Sequence, residues 1–593
     1  MKQLMHRILL TIILVTGCMY AYPSIIIGDL YYELKESART ATVIGLYNQD
    51  VTELTIPDTV TFSDKTFAVT KIAESAFGGK RMTSVVIPKT VKSIGYATFN
   101  QCPLLESVSF GGITSIGESA FQACKKLKNI SFPNTLISIG LYAFADCTNL
   151  SEISFPSSLK KISACAFENC KSLVSVEIPN SVWDMEGGVF EGCSGLVKAS
   201  IAGTVTSLNG MFSGCTSLTS VIIPNSVVDM TETFRGCTSL TTVIIPNPNA
   251  KLTRTFSGCT GLTSVVIPDG VKTLDGTFSG CTNLTSVSIP NSVKTLSAFS
   301  GCSKLKEIEI PNSVTTLGGL GGTGLTSVTI PESVREIKSG AFSGCTSLSE
   351  ITIPESVQEI KSYAFKNCTS LKRITISDNV KTIGERAFEG CSKLEKLVLP
   401  NSLEGVADYM CYNCTSLKSV VIPNSVKKIG EYAFWMCSAL SSVVIPDSVD
   451  EMLPSLFYGC INLETITIGK SVKSIKTYLC LPKLKHIYSL AQEPPAFDKR
   501  IFVDNPVHSY EPNPVYFKNI TLHVPKGCLS VYRGVLYWRD FYNIVEEDLL
   551  GIKTPVVSQQ ETDAPYYDLW GREVIRPEKG RIYIHGGRKV LVK

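Results

Sequence analysis

Histidine is scarce in this chain. There are five in 593 residues: His6, His486, His508, His523 and His585. None lies between Ile56 and Ile468. Within that stretch, no Cys–His nucleophile pair and no mixed Cys/His zinc site can form. Charge is also thin, at 18% of residues, with a formal net charge of +4. For a chain this long that is near neutral, which argues against nucleic acid as a partner. Beyond the N-terminus no apolar run is long enough to suggest a membrane span. There is no Walker loop, no dinucleotide fingerprint after a strand and no G-x-S-x-G elbow. The acidic residues are scattered, and nothing places two carboxylates on one face. Together these absences predict no catalytic site, no cofactor and no metal.

The N-terminus does carry an apolar run. Lys2 and Arg7 precede Ile8 to Val15, the layout of a secretory signal, which predicts an exported chain with residues 1–21 as signal peptide. Two cleavage readings stand side by side. Val15-Thr16-Gly17-Cys18 resembles a bacterial lipobox, which would leave Cys18 lipidated and the protein tethered to the outer membrane. Met19-Tyr20-Ala21 would instead end an ordinary signal peptide, and the chain would be released.

A chain of this length needs more than one core unless the core grows by repetition. Repetition is plain here. "LTSVVIP" (Leu262–Pro268) recurs as "LTSVIIP" (Leu218–Pro224), "LTSVSIP" (Leu284–Pro290) and "LKSVVIP" (Leu417–Pro423). The Ile of Ile-Pro or its stand-in occurs at 19 positions from Ile56 to Ile468, mostly 22 or 23 apart, with one gap of 31 between Ile56 and Ile87. A typical unit reads L-x-x-V-x-I-P-x-S-V-x-x-I-G-x-x-A-F-x-G-C-x-x. The alternation in V-x-I puts two apolar side chains on one face of a short strand. Pro ends that strand because it has no N–H to donate. The next V-x-x-I returns apolar side chains to the interior, and A-F-x-G-C makes the last corner. One unit cannot bury its own face, so units must stack on a shared core.

Sixteen of the 21 cysteines fall three positions before the repeat Leu, among them Cys215, Cys237, Cys259 and Cys281. A column running along a solenoid does not converge on a point, as a metal site requires. Disulfides compete more closely, because stacked turns about 4.8 Å apart lie within the Cα range of a bridge. Side chains in a parallel stack point the same way, however, and that favours buried thiols acting as small apolar fillers. Cys411 and Cys414 form a C-x-x-C pair without a thioredoxin-like context, which reads as coincidence. The glycine-rich "LGGLGGTGL" (Leu317–Leu325) is in phase with the repeat and reads as a shortened unit rather than a phosphate cradle.

The residue before the second Ile of each strand should face outward. That column is wholly apolar at Ile222, Ile244 and Val266, and again at Val398, Val421 and Val444. These six are the candidate partner-binding residues, because exposed apolar ridges mark protein contacts. β-Branched residues also suit any strand, which is the competing explanation. Ser220, Ser264, Ser286 and Ser419 would add hydroxyls to the same face. Trp183 and Trp435 stand where most units carry smaller residues, as binding anchors or as gap fillers.

The unit resembles the leucine-rich repeat of the BspA-like family of bacterial surface proteins of the Bacteroides group, from about Asp29 to Asp548. "GDLYYEL" (Gly28–Leu34) is similar to that family's opening strand, and "LHVPKGCLSVYRGVLYWRDFYNIVEE" (Leu522–Glu547) to its closing segment, where Trp538, Phe541 and Tyr542 would cap the core. The resemblance implies a repeat solenoid: short parallel strands stacked into a curved right-handed superhelix with β-rich caps. The expected layout is a β cap at 22–55, a solenoid of about 19 units at 56–480, a capping segment at 481–550, a linker at 551–565 and a short β segment at 566–593. That last segment is similar to C-terminal sorting segments of exported Bacteroidetes proteins, and its glycines would separate three short strands. The family further implies a non-enzymatic protein of the cell surface or medium that binds host matrix or plasma proteins, or other bacteria. An alternative is capture of glycans or peptides in the cell envelope. An enzyme hidden between Lys483 and Asp548 has no recognisable constellation to support it. Oligomeric state is left open.

Overall fold

The computed structural model describes residues 24–479, 481–497, 502 and 514–549, and the backbone of four short strands within 566–591. The chain divides into two compact units. The first comprises residues 1–374 and 384–392, and the second 375–383 and 393–593. Each is a parallel β-solenoid built on the same repeat, about 19 turns in all.

The first unit opens on a sheet with the strands Ile25–Ile27, Leu30–Lys35, Thr40–Leu46, Lys65–Ile72 and Thr59–Phe62 as neighbours in that order. This accounts for the gap of 31 residues. Glu53–Thr55 already pairs in parallel with Ser84–Ile87 as the start of the solenoid ladder. The intervening hairpin, Thr59–Phe62 with Lys65–Ile72, returns to the opening sheet.

Successive turns then stack in strict register. Ser84 faces Ser107 and Val85 faces Val108, while Ser93, Ser115, Ser138, Lys161 and Asp184 line up in a second parallel sheet. Proline at the end of most first strands and two left-handed residues in nearly every corner turn the chain back on itself.

Inside each corner the phenylalanines form a ladder. From Phe77 to Phe299 neighbouring rings lie 5.1 to 6.1 Å apart, with planes within 14° of parallel. Buried Leu320 takes the next rung in the shortened turn, and Phe342, Phe365 and Phe388 resume the stack. The glycine-rich stretch is therefore structural.

The cysteine column lies beside this ladder, fully buried. Cys215, Cys237, Cys259 and Cys281 are not in disulfides. Each thiol donates to the carbonyl of the phenylalanine one turn earlier: Cys215 to Phe190 at 3.2 Å, Cys237 to Phe212 at 3.1 Å, Cys259 to Phe234 at 3.0 Å and Cys281 to Phe256 at 3.1 Å. The sulfur is thus both an apolar filler and a cross-turn donor, the second one on a carbonyl that already accepts the backbone N–H of the cysteine in its own turn. Burial pushes Cys259 and Cys302 up to about 12. A thiol that buried and that weakly acidic is inert. We expect Ellman's reagent at pH 7 to leave these column thiols unmodified in the folded chain and to titrate them in guanidinium. Rapid reaction of the native column would contradict the burial. Among the described cysteines, half-buried Cys165, outside the column, is the one on which the first label should appear.

In the second unit the strands Lys396–Val398, Ser419–Val421, Ser442–Ile445, Thr465–Ile468, His486–Ser489, Thr521–Pro525 and Asn543–Glu547 form one seven-stranded parallel sheet. The closing segment thus extends the ladder and covers its end. Trp538 and Phe541 are buried, and Trp538 Nε1 donates to the Pro495 carbonyl at 2.7 Å. Tyr532 is buried too and donates to the Ala491 carbonyl at 2.8 Å. Tyr542 departs from the sequence expectation. It is 66% exposed and caps nothing. The tail has four short antiparallel strands rather than the three expected. Cys18 and Cys480 lie outside the described residues.

Candidate partner-binding surface

Ile222, Ile244 and Val266 do stand outward, 67%, 83% and 77% exposed. Their strand neighbours Val265 and Ile245 are buried, as the alternation requires. Ser220 and Ser264 are exposed beside them. The backbone adds a feature that the repeat does not encode. Ser220–Ile222 pairs back to Lys198–Ile201, and Ser264–Val266 pairs on to Ser286–Ser288. The turn between, carrying Ile244, forms no strand. The three apolar side chains therefore straddle a break in the ladder and are left bare.

Val398, Val421 and Val444 are half-buried rather than open. Their turns belong to the continuous seven-stranded sheet, in which Val398 is opposite Val421 and Val444 opposite Thr467. At a strand spacing of about 4.8 Å each β-branched side chain shields the next. This second set is a packed column with little apolar surface to offer.

The two tryptophans also differ. Trp183 is 64% exposed. Next to it Lys161 bridges Asp184 at 3.0 Å and Glu186 at 2.7 Å, and that lysine holds the Glu186 carboxyl below its ordinary range. Trp435 is half-buried inside a group of aromatic rings. Its centroid lies 4.9 Å from Tyr432, 6.2 Å from Tyr412 and 4.6 Å from Tyr458, and Tyr432 stacks on Tyr409 at 4.7 Å. The array is therefore richer in clustered aromatics than its outward strand column suggests. The signal was present in the sequence as two columns, Tyr409 with Tyr432 and Tyr412 with Trp435 and Tyr458, each stepping by 23.

Cys411 is no redox partner for Cys414. It occupies the phenylalanine rung, fully buried, and its carbonyl accepts the Cys437 thiol at 3.2 Å. Among the described residues no three His, Cys, Asp or Glu converge to hold a metal, and no helix is long and apolar enough to cross a membrane. The closing segment does gather His486, His523 and Glu547, which lie far apart in sequence and carried no pattern there.

A family profile described as BspA type leucine-rich repeat region matches this chain in six copies, over residues 45–140, 70–197, 114–232, 230–320, 321–441 and 404–490. Solved structures similar to it include a leucine-rich repeat protein from Bacteroides ovatus, 25% identical, covering 78% of this chain and 94% of that one, with a TM-score of 0.29. A leucine-rich cell surface protein from Faecalibacterium prausnitzii is 24% identical over 76% of this chain and 95% of its own, with a TM-score of 0.26. The pneumococcal vaccine antigen PcpA is 18% identical over 89% of this chain and 100% of its own, with a TM-score of 0.27. No curated protein matches.

Proposed function

Because this chain belongs to the family of BspA-type leucine-rich repeat proteins, we propose that it is an exported, non-enzymatic surface protein that binds other proteins through one face of its solenoid. The observation that carries the proposal is the bare ridge of Ile222, Ile244 and Val266. A contiguous apolar strip left in water is unfavourable unless something covers it. Stacked repeats present such strips at fixed spacing, which suits multi-point recognition of an extracellular protein. The signal-like N-terminus supports export, with Cys18 lipidation and release as the two anchoring outcomes.

The test is binding of the full chain to immobilised matrix and plasma proteins, measured beside Ile244→Asp. A carboxylate buried without a partner in an apolar contact should weaken binding at least about tenfold. Equal binding by the variant would remove the ridge from the site. Capture of glycans is the second reading, supported by the rings around Trp435, since aromatic faces and phenol hydroxyls suit sugars. Oligosaccharides belong in the same panel. A sugar response lost in Trp435→Ala, with protein binding absent, would favour that reading over the first.

A further inference from the structure

The closing segment of the second unit holds a side-chain constellation that the binding proposal does not use. Three adjacent parallel strands, His486–Ser489, Thr521–Pro525 and Asn543–Glu547, place Tyr488 opposite His523 and Pro525 opposite Glu547. Side chains two apart share a face, so His486, Tyr488, His523 and Glu547 project on the same side. They touch. His523 Nδ1 lies 2.8 Å from Glu547 Oε1, and His523 Nε2 lies 3.0 Å from His486 Nδ1. Tyr488 stacks on the His523 ring at 4.1 Å and 13°.

We infer that His486 and His523 are the two protein ligands of a divalent transition-metal site, zinc-like in preference, with Glu547 as the outer partner of His523. The protonation pattern is set from one end. Glu547 as a carboxylate can only accept, so His523 Nδ1 carries the proton and its Nε2 presents a lone pair. That lone pair points at His486 Nδ1, which must donate to it when no cation is there. Moving the His486 proton to the other ring nitrogen leaves two lone pairs facing each other, which a cation can bridge once the rings turn toward it.

The spacing fits a metal. Two imidazole nitrogens at about 2.05 Å from a tetrahedral zinc are about 3.3 Å apart. The pair stands at 3.0 Å, with ring centroids 5.2 Å apart, so the rings need to open by a few tenths of an ångström and turn by about 35° for both lone pairs to meet at the metal. A histidine whose far nitrogen donates to a carboxylate is the usual form of a metal-bound imidazole, because that bond fixes the ring and raises its basicity. Tyr488 fixes its plane as well. His523 is 7% exposed, whereas His486 is half-buried. The open side is therefore at His486, where water would complete the coordination. Zinc suits imidazole, and the lack of a third protein ligand among the described residues predicts modest affinity.

Calorimetric titration of the full chain with zinc at about pH 7.5 tests this, with folding checked by circular dichroism. We expect one zinc per chain in the micromolar range. Binding should weaken about 10–100-fold in Glu547→Gln and be lost in His486→Gln. His523→Gln would also break the bond to Glu547, so His486→Gln, on the open side, carries the test. Cobalt(II) as the probe should give visible d–d bands without sulfur-to-cobalt charge transfer, which separates this pair from the chain's thiols. Three results would each overturn the site: no uptake by the folded native chain at about 100 µM zinc, equal uptake by folded His486→Gln, or a thiolate charge-transfer band.

Discussion

Raising the pH from about 8 to about 10.5 should strip the array of much of its stability, through the cysteine column. Burial pushes Cys147, Cys259 and Cys302 in the first unit up to about 12, and Cys170 and Cys237 well above their ordinary value. In an unfolded chain a thiol ionises near pH 8.5. Below that value both states keep their protons, and pH has no effect through these groups. Above it the unfolded state sheds protons that the folded state retains, so the equilibrium moves toward unfolding until the folded value near 12 is reached. Each such thiol costs about 1.4 kcal/mol per pH unit in that window. Cys147, Cys259 and Cys302 alone amount to about 6 kcal/mol by about pH 10, against a usual folding margin of about 5–15 kcal/mol. The melting midpoint, followed by circular dichroism, should fall by at least about 8 °C between about pH 7.5 and 10. Cys259→Ala, which cannot ionise, should reduce that fall. A midpoint that stays level across the range would show that the thiols are more accessible than the structure places them.

Gly319→Ala should cost about 2–4 kcal/mol, the larger part from backbone overlap. Gly319 is left-handed, with φ of 63°. A Cβ there would lie 2.4 Å from the Ser297 carbonyl carbon and 2.7 Å from both Ser297 Cα and Ala298 N. These are backbone atoms of the preceding turn, so no side chain can swing aside. Phe299 N also donates to the Gly319 carbonyl at 2.6 Å, and separating the turns would break that bond. Gly79→Ala is the matched control. It is left-handed at 73°, but nothing lies within 4 Å of its would-be Cβ. It should cost only about 1 kcal/mol, the left-handed penalty by itself. Equal losses in urea unfolding of the two variants would show that crowding between turns contributes nothing.

Much of the scaffold was legible because each position is written many times in phase. The turn count, the phenylalanine rungs and the buried cysteine column follow from spacing and alternation. What a period cannot carry is direction and departure. Nothing in the spacing of Cys259 and Phe234 says that the thiol donates to that carbonyl. The hairpin Thr59–Lys65 region breaks the beat because it belongs to the opening sheet, and a period marks only that something intervenes. Exposure was half legible. Ile222, Ile244 and Val266 have the same place in the repeat as Val398, Val421 and Val444, yet the first set flanks a turn with no strand and the second sits in an unbroken sheet. That contrast depends on whether neighbouring turns close their backbone hydrogen bonds. The ring group around Trp435 needed both aromatic columns to be read together. His486, His523 and Glu547 are 37 and 24 positions apart in a segment that does not repeat, so only the strand register brings them together.

The backward reach of each thiol bears on how the protein is made. Fifteen of the sixteen column cysteines donate to the turn that precedes them in the chain, so an array that folds from its N-terminal end finds each of these acceptors already in place. Each arrival hides its own sulfur against a finished surface. Among the sixteen column thiols, only the one on the newest turn is then open to oxidants while the array grows, and a finished array offers none of them for cross-linking.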